Sequence, residues 1–225
     1  MTAVPRDLDE YLTANDERIQ RELFELLAIP SVSARSEHDT DTRRAAEWVA
    51  GSLRSAGLVA TVHETQGQPV VVGEYRGAPA GAPTVLVYGH YDVQPAEPLD
   101  LWTSPPFVAT VRDGRIYARG SVDDKGQLFL HVKALEAHLA VRGRLPVNVI
   151  VLGARAHARD REQLEQLAPD ALVVGGEILV EVARDGGHRM CMEEAVTRRT
   201  RKLPRGRENA HGAAKRYCPT HTGMC

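Results

Sequence analysis

The stretch that most constrains this chain is Thr84-Val-Leu-Val-Tyr-Gly-His-Tyr-Asp92. Residues 84–88 are nearly all apolar and rich in β-branched and aromatic side chains, which reads as a strand buried on both faces, as in a sheet with helices on either side. That strand runs straight into His90 and Asp92. In extended chain, residues two apart project to the same face, so an imidazole and a carboxylate leave the sheet edge side by side. Such a pair can bind a metal, or join a liganding histidine to a carboxylate that orients it. Taken alone, the spacing reads first as a structural His–Asp hydrogen bond at a strand end.

A second element, Arg119-Gly-Ser-Val-Asp-Asp-Lys-Gly126, presents two carboxylates on a glycine-bearing loop as a helix begins. Acidic residues at a helix start also serve its dipole and its free N–H groups, so this loop alone decides nothing. Together the two elements put one histidine and up to three carboxylates at the loop ends of one sheet.

The chain around them alternates helix and strand. Leu8, Leu12, Ile19, Leu23, Phe24, Leu26 and Leu27 recur near helical spacing and stop before Pro30; residues 42–56 read as a second amphipathic helix that Gly57 caps. Residues 59–64 and 70–75 read as strands, and 107–111 with 115–118 as a hairpin turning at Asp113-Gly114. Residues 124–141 read as helix, and 147–152 as another buried strand. The class is α/β, with loops at strand ends available for a site.

Up to residue 152 the chain carries 15 Lys plus Arg against 20 Asp plus Glu, and ten of the eleven aromatic residues. The last 73 residues carry 13 basic against 10 acidic residues, all three cysteines and three of the four methionines. An overall net charge of −2 gives no reason to expect nucleic acid or an anionic membrane as the main partner. The N-terminus lacks the basic start and apolar run of a secretory signal, and Cys191, Cys218 and Cys225 form no disulfide framework. The expected compartment is the cytoplasm.

Tyr88-Gly-His-Tyr-Asp-Val-Gln-Pro95, Leu101-Trp-Thr-Ser-Pro-Pro-Phe107, Asp113-Gly-Arg-Ile-Tyr117 and Arg119-Gly-Ser-Val-Asp-Asp-Lys-Gly126 strongly resemble the M20 zinc metallopeptidases, above all their carnosinase-like cytosolic dipeptidase branch. Ile29-Pro-Ser-Val-Ser33 resembles the same family's N-terminal segment, and the likeness spans about residues 8–152. It implies a three-layer, zinc-peptidase-like catalytic domain with a mixed, mostly parallel central sheet, truncated before the lid and dimerisation domain. By the same likeness His90 is a ligand of one zinc, Asp123 is the carboxylate bridging two, and Asp92 is the catalytic-site aspartate that orients and polarises His90. A cis peptide is expected at Asp123-Asp124. The implied cofactor is Zn2+, two per complete site, with Mn2+ or Co2+ as alternatives, and the implied substrates are dipeptides or related amide-linked amino acid derivatives.

The likeness stops after Pro146-Val-Asn-Val-Ile-Val-Leu152. Where the family continues with a glycine-glutamate-glutamate block holding the general base and a zinc ligand, this chain reads Gly153-Ala-Arg-Ala-His-Ala-Arg-Asp160. The expectation is therefore a division into 1–152, the N-terminal part of the catalytic domain, and 153–225, a divergent and partly disordered tail that is frameshifted or otherwise non-homologous. With it goes a catalytically incomplete chain lacking the family's homodimer interface. Two alternatives stand beside the hydrolase: a noncatalytic metal- or partner-binding remnant, and a nucleic-acid binder acting through residues 198–216, with eight Lys or Arg and one acidic residue. That run has no aromatic residue to stack on bases, which favours a solvated tail. Glu193-Glu194 lies too far along the chain to replace the missing glutamates, and Cys218, His221 and Cys225, with Cys191 or His211, are spaced too irregularly to read as a zinc site. Residues 172–174 and 178–182 are the tail's only strand candidates.

Overall fold

A sheet with β-branched residues on both faces calls for cover on each, and the described helices supply it on one. The computed structural model describes residues 4–154, 172–174, 183–184 and 188–189. Their order is α1 (Arg6–Ala14), α2 (Asp16–Leu27), α3 (Asp39–Ser55), β1 (Val59–His63), β2 (Val70–Tyr75), β3 (Thr84–His90), β4 (Thr110–Arg112), β5 (Arg115–Tyr117), α4 (Lys125–Arg142), β6 (Asn148–Ala154) and β7 (Leu172–Val174). Two-residue strands β8 (Ala183–Arg184) and β9 (His188–Arg189) pair with each other.

The central sheet runs β1-β2-β6-β3-β7. It is mixed: β1–β2 and β2–β6 are antiparallel, β3–β6 and β3–β7 parallel. Along β6 the side chains alternate as a pleated strand requires, Val149 and Val151 in one cluster, Ile150 and Leu152 in another. The first cluster lies under α3, through Ala45, Ala46, Val49, Ala50 and Leu53, and under α4, through Leu128, Phe129 and Val132. Each fully buried Val or Leu there contributes roughly 1.5–3 kcal/mol by leaving water. The small residues of α3 let it lie close to the sheet, and the Trp48 and Phe129 rings meet at 6.1 Å where α3 and α4 approach. Among the described residues helices cover one face. The basic run 198–216, the strand candidate 178–182 and the tail cysteines lie outside the described residues, whereas 172–174 is the strand expected from its sequence.

Two boundaries differ from the sequence reading. The apolar periodicity from Leu8 to Leu27 forms two helices, because Asn15 adopts φ −109°, ψ 6° and turns its amide onto the Tyr11 carbonyl at 2.9 Å. Asparagine offers the backbone an alternative to helical bonding, which a hydrophobic pattern does not reveal. The first hairpin strand shortens to Thr110–Arg112, while its turn is as expected: Asp113 and Gly114 both take positive φ, 51° and 73°.

A charged network fastens the first helices to α4. Lys133, buried, donates to Glu22 Oε2 and Glu136 Oε2, and Arg18 reaches both carboxylates from α2. Nearer the sheet, the loop before α4 folds so tightly that a Cβ on Gly126 would sit 2.0 Å from the Ser121 carbonyl oxygen. Gly126 N–H donates to Gly120 O at 3.1 Å, closing the loop that carries Asp123 and Asp124.

Two outcomes follow. Burial raises the Glu22 and Glu136 carboxyls, but hydrogen bonds from Lys133 and Arg18 outweigh it and hold both below the usual carboxylate range. Their contribution is therefore complete above the unfolded value of about 4.3 and is lost as pH falls through the folded values. Glu136→Gln should lower stability by about 1–3 kcal/mol at pH 7 and by progressively less on acidification, measured by denaturant melts at several pH values; a pH-independent gap would contradict it. Gly126→Ala should cost at least about 1–3 kcal/mol, since backbone cannot yield as a side-chain tip does, and an unchanged denaturation midpoint would contradict it.

Candidate metal centre

β3 delivers His90 at its carboxyl end, beside the partner strand β6: His90 stands in register with Ala154. Directly after it, Asp92 turns back toward the imidazole. His90 Nδ1 lies 3.1 Å from Asp92 Oδ1 and 3.1 Å from the Asp92 carbonyl oxygen. Asp92 is 5% exposed, and its other carboxylate oxygen accepts a hydrogen bond from Ser33 Oγ.

The 120–124 loop brings the second carboxylate group from the other side. Asp123 Oδ1 lies 2.9 Å from His90 Nε2, and the Asp123 side chain is 79% exposed, so this edge of the ring faces solvent. The Asp123–Asp124 peptide is cis, as expected from the sequence. Asp124 sends its carboxylate the other way, accepting the backbone N–H of His90 at 2.8 Å. It stands at the N-terminal boundary of α4 but makes no side-chain hydrogen bond to the helix, so capping is not the role of its carboxylate.

The structure thus brings His90, Asp92 and Asp123 together, and adds residues whose sequence signals were silent. Asp124 lies 34 residues from the N–H it binds and Ser33 lies 59 from Asp92. Lys125 is fully buried, its ammonium donating to Leu26 O at 3.0 Å and Ile29 O at 2.6 Å. A lysine following two aspartates reads from sequence as a solvated charge, and only the packing of α4 on α2 buries it.

Electrostatically the site is one imidazole amid three carboxylates. Burial disfavours the imidazolium, but the hydrogen bond to Asp92 and the charges of Asp124 and Asp92 prevail and raise the His90 pKa to about 9. Burial pushes Asp124 up to about 6 against the opposing pull of His90, and pushes Lys125 down to about 7. A surrounding of this kind attracts a cation at Nε2, while the Nδ1–H···Asp92 bond directs the other ring nitrogen outward. The donor set suits a divalent metal in type, one imidazole nitrogen and one carboxylate oxygen. It is short in number: among the described residues no group of three or more His, Cys, Asp or Glu is placed to hold a metal.

An apolar cleft of about 570 Å³, lined by Leu12, Ile19, Leu23, Leu101, Tyr117 and Phe129 among others, borders the same loop at Ser121, Val122 and Gly126. It contains none of His90, Asp92 and Asp123. Among the described residues no helix is long and apolar enough to cross a membrane.

Residues 86–156 match the model of peptidase family M20/M25/M40. The chain is 40% identical over 124 residues to the cysteinylglycine-S-conjugate dipeptidase of Corynebacterium striatum, covering 55% of this chain and 27% of that protein. It is 35% identical over 163 residues to the Cys-Gly metallodipeptidase dug1 of Schizosaccharomyces pombe, covering 68% of this chain and 34% of the relative. Its fold superposes on the crystal structure of human carnosine dipeptidase 1 with a TM-score of 0.70 and 26% identity, over 79% of this chain and 42% of that one. The chain thus spans between about a quarter and a third of the length of these curated relatives. Residues 86–156 are thus similar to the M20/M25/M40 peptidases, and the described residues share an α/β fold with human carnosine dipeptidase 1.

Proposed function

We propose that this chain carries the first part of a metal-dependent hydrolase of dipeptides or related amide-linked amino acid derivatives, and that as it stands it holds a divalent metal without completing the reaction. The observation that carries the reading is His90 held between two carboxylates, Asp92 at Nδ1 and Asp123 at Nε2, each within 3.1 Å. In it, His90 Nε2 and Asp123 Oδ1 are the metal donors, and Asp92 orients the ring and strengthens it as a ligand. The metal is Zn2+, with Mn2+ or Co2+ as alternatives, and when bound it supplies Lewis-acid polarisation of a carbonyl and acidification of a water.

The incomplete half of the reading rests on β6. In the family a glycine-glutamate-glutamate block follows this strand; here Gly153 is followed by Ala154, and Ala154 is the residue in register with His90. A methyl group at that point can neither take a proton nor bind a metal. That absence, with only two donors in place, favours the noncatalytic metal-binding remnant as the second reading. The family match ends at residue 156, close to the change in charge and aromatic content after 152, which supports 153–225 as a divergent tail. The cytoplasm remains the proposed location, a small peptide the proposed substrate of the ancestral enzyme, and neither a membrane, a nucleic acid nor the family's homodimer interface belongs to the proposal.

Zinc content and dipeptide hydrolysis of the purified chain, beside His90→Ala and Asp123→Ala, test this. Zinc should bind to the chain, each substitution should weaken it at least tenfold, and hydrolysis should stay at the level of free zinc. Equal zinc binding by all three proteins would sink the metal site, and zinc-dependent turnover lost in His90→Ala would overturn the claim of incompleteness. Translating the gene beyond codon 152 in its other two frames should reveal a Glu-Glu block; finding none would remove the frameshift.

A further inference from the structure

We infer that Ser33 is a positioning residue for this site, holding the Asp92 carboxylate so that His90 keeps its Nε2 edge toward Asp123; the inference rests on the reading of His90 as a metal donor. A carboxylate bound through one oxygen still swings about its terminal torsion, which is broad and shallow for aspartate. Asp92 is bound through both: Oδ1 to His90 Nδ1 and Oδ2 to the Ser33 hydroxyl. The second bond converts a contact into an orientation.

For Ser33 to act this way its own backbone must be fixed relative to the chain around Asp92, and four further bonds hold its segment in place. Val93 N–H donates to Ser31 O at 2.9 Å, and the fully buried Ser31 hydroxyl donates to Tyr91 O at 2.8 Å, so residues 31–33 lie stitched along 91–93. At the start of the same segment Lys125 grips the carbonyls of Leu26 and Ile29. Lys125 is two residues beyond Asp123. A closed circuit therefore runs from Asp123 through Lys125 to the 29–33 segment, on through Ser33 and Asp92, and back to His90, fixing the two donors relative to each other through a strand, a loop and a helix start. In the sequence these three pieces are separated by about 60 and 30 residues.

The test uses the full chain, Zn2+ as probe with a competing chromophoric chelator, and the downfield Nδ1–H proton resonance of His90, assigned by its absence in His90→Ala. Ser33→Ala should weaken zinc binding about 10- to 100-fold and broaden or shift that resonance in the metal-free protein, with the remaining amide spectrum unchanged. Ser33→Thr, which keeps the hydroxyl, should restore both. Ser33→Val, close in shape to threonine but without the hydroxyl, should behave as the alanine variant does and serves if alanine fails to fold. Should Ser33→Ala and Ser33→Val leave affinity and resonance intact while His90→Ala abolishes binding, the inference falls and the metal reading stands. Should His90→Ala bind zinc like the parent, the metal reading falls and the positioning inference that rests on it falls too.

Discussion

The parallel pairing of β3 with β6 is the constraint on which the rest of the structure depends. Its register runs from Thr84 opposite Asn148 to His90 opposite Ala154, so one strand's carboxyl end delivers the imidazole and the neighbour's end lies next to it. Parallel strands need a long crossover, and the one here contains the hairpin, the Asp123 loop and α4. The helix that completes the crossover packs Leu128, Phe129 and Val132 on the sheet, which returns its N-terminal end to the end of β3. Hydrophobic burial thereby does the positioning, and the carboxylates at the loop add chemistry to an arrangement they did not create. Ligand sites in open α/β sheets lie at strand carboxyl ends for this same reason.

Within that frame the polar groups divide between holding and acting. Lys125, Ser31 and Ser33 are spent on carbonyls and on one carboxylate oxygen, inside the protein, where an unmatched polar group is costly. Asp123 remains exposed and meets the Nε2 edge of His90. Asp124 belongs to the first class despite its place beside Asp123, because its carboxylate anchors the His90 backbone. Two adjacent aspartates thus serve opposite ends, one facing solvent and one facing the strand.

Much of this was legible in the sequence where a local rule governs it. The apolar run 84–88 announced a buried strand, Asp113-Gly114 announced a turn whose two residues take positive φ, and the two-residue spacing of His90 and Asp92 announced their contact. The break at Asn15 was not legible, since the apolar spacing continues through it and a single side-chain bond to Tyr11 decides the interruption. Nor were the partners of Asp124, Lys125 and Ser33, each reaching a group 34 or more residues away.

By itself the sequence determined the alternation of helix and strand, the family to which residues up to about 152 are akin, and which residues are candidates for the site, because periodicity, turn chemistry and short motifs are properties of neighbouring residues. Tertiary structure alone decided that Asp123 meets the Nε2 edge of His90, that Asp124 turns inward, that Lys125 is buried, and that Ala154 stands beside the imidazole. These depend on strand register and on how α2 and α4 pack over the sheet, quantities set by burial summed over the whole core rather than by any local stretch of chain.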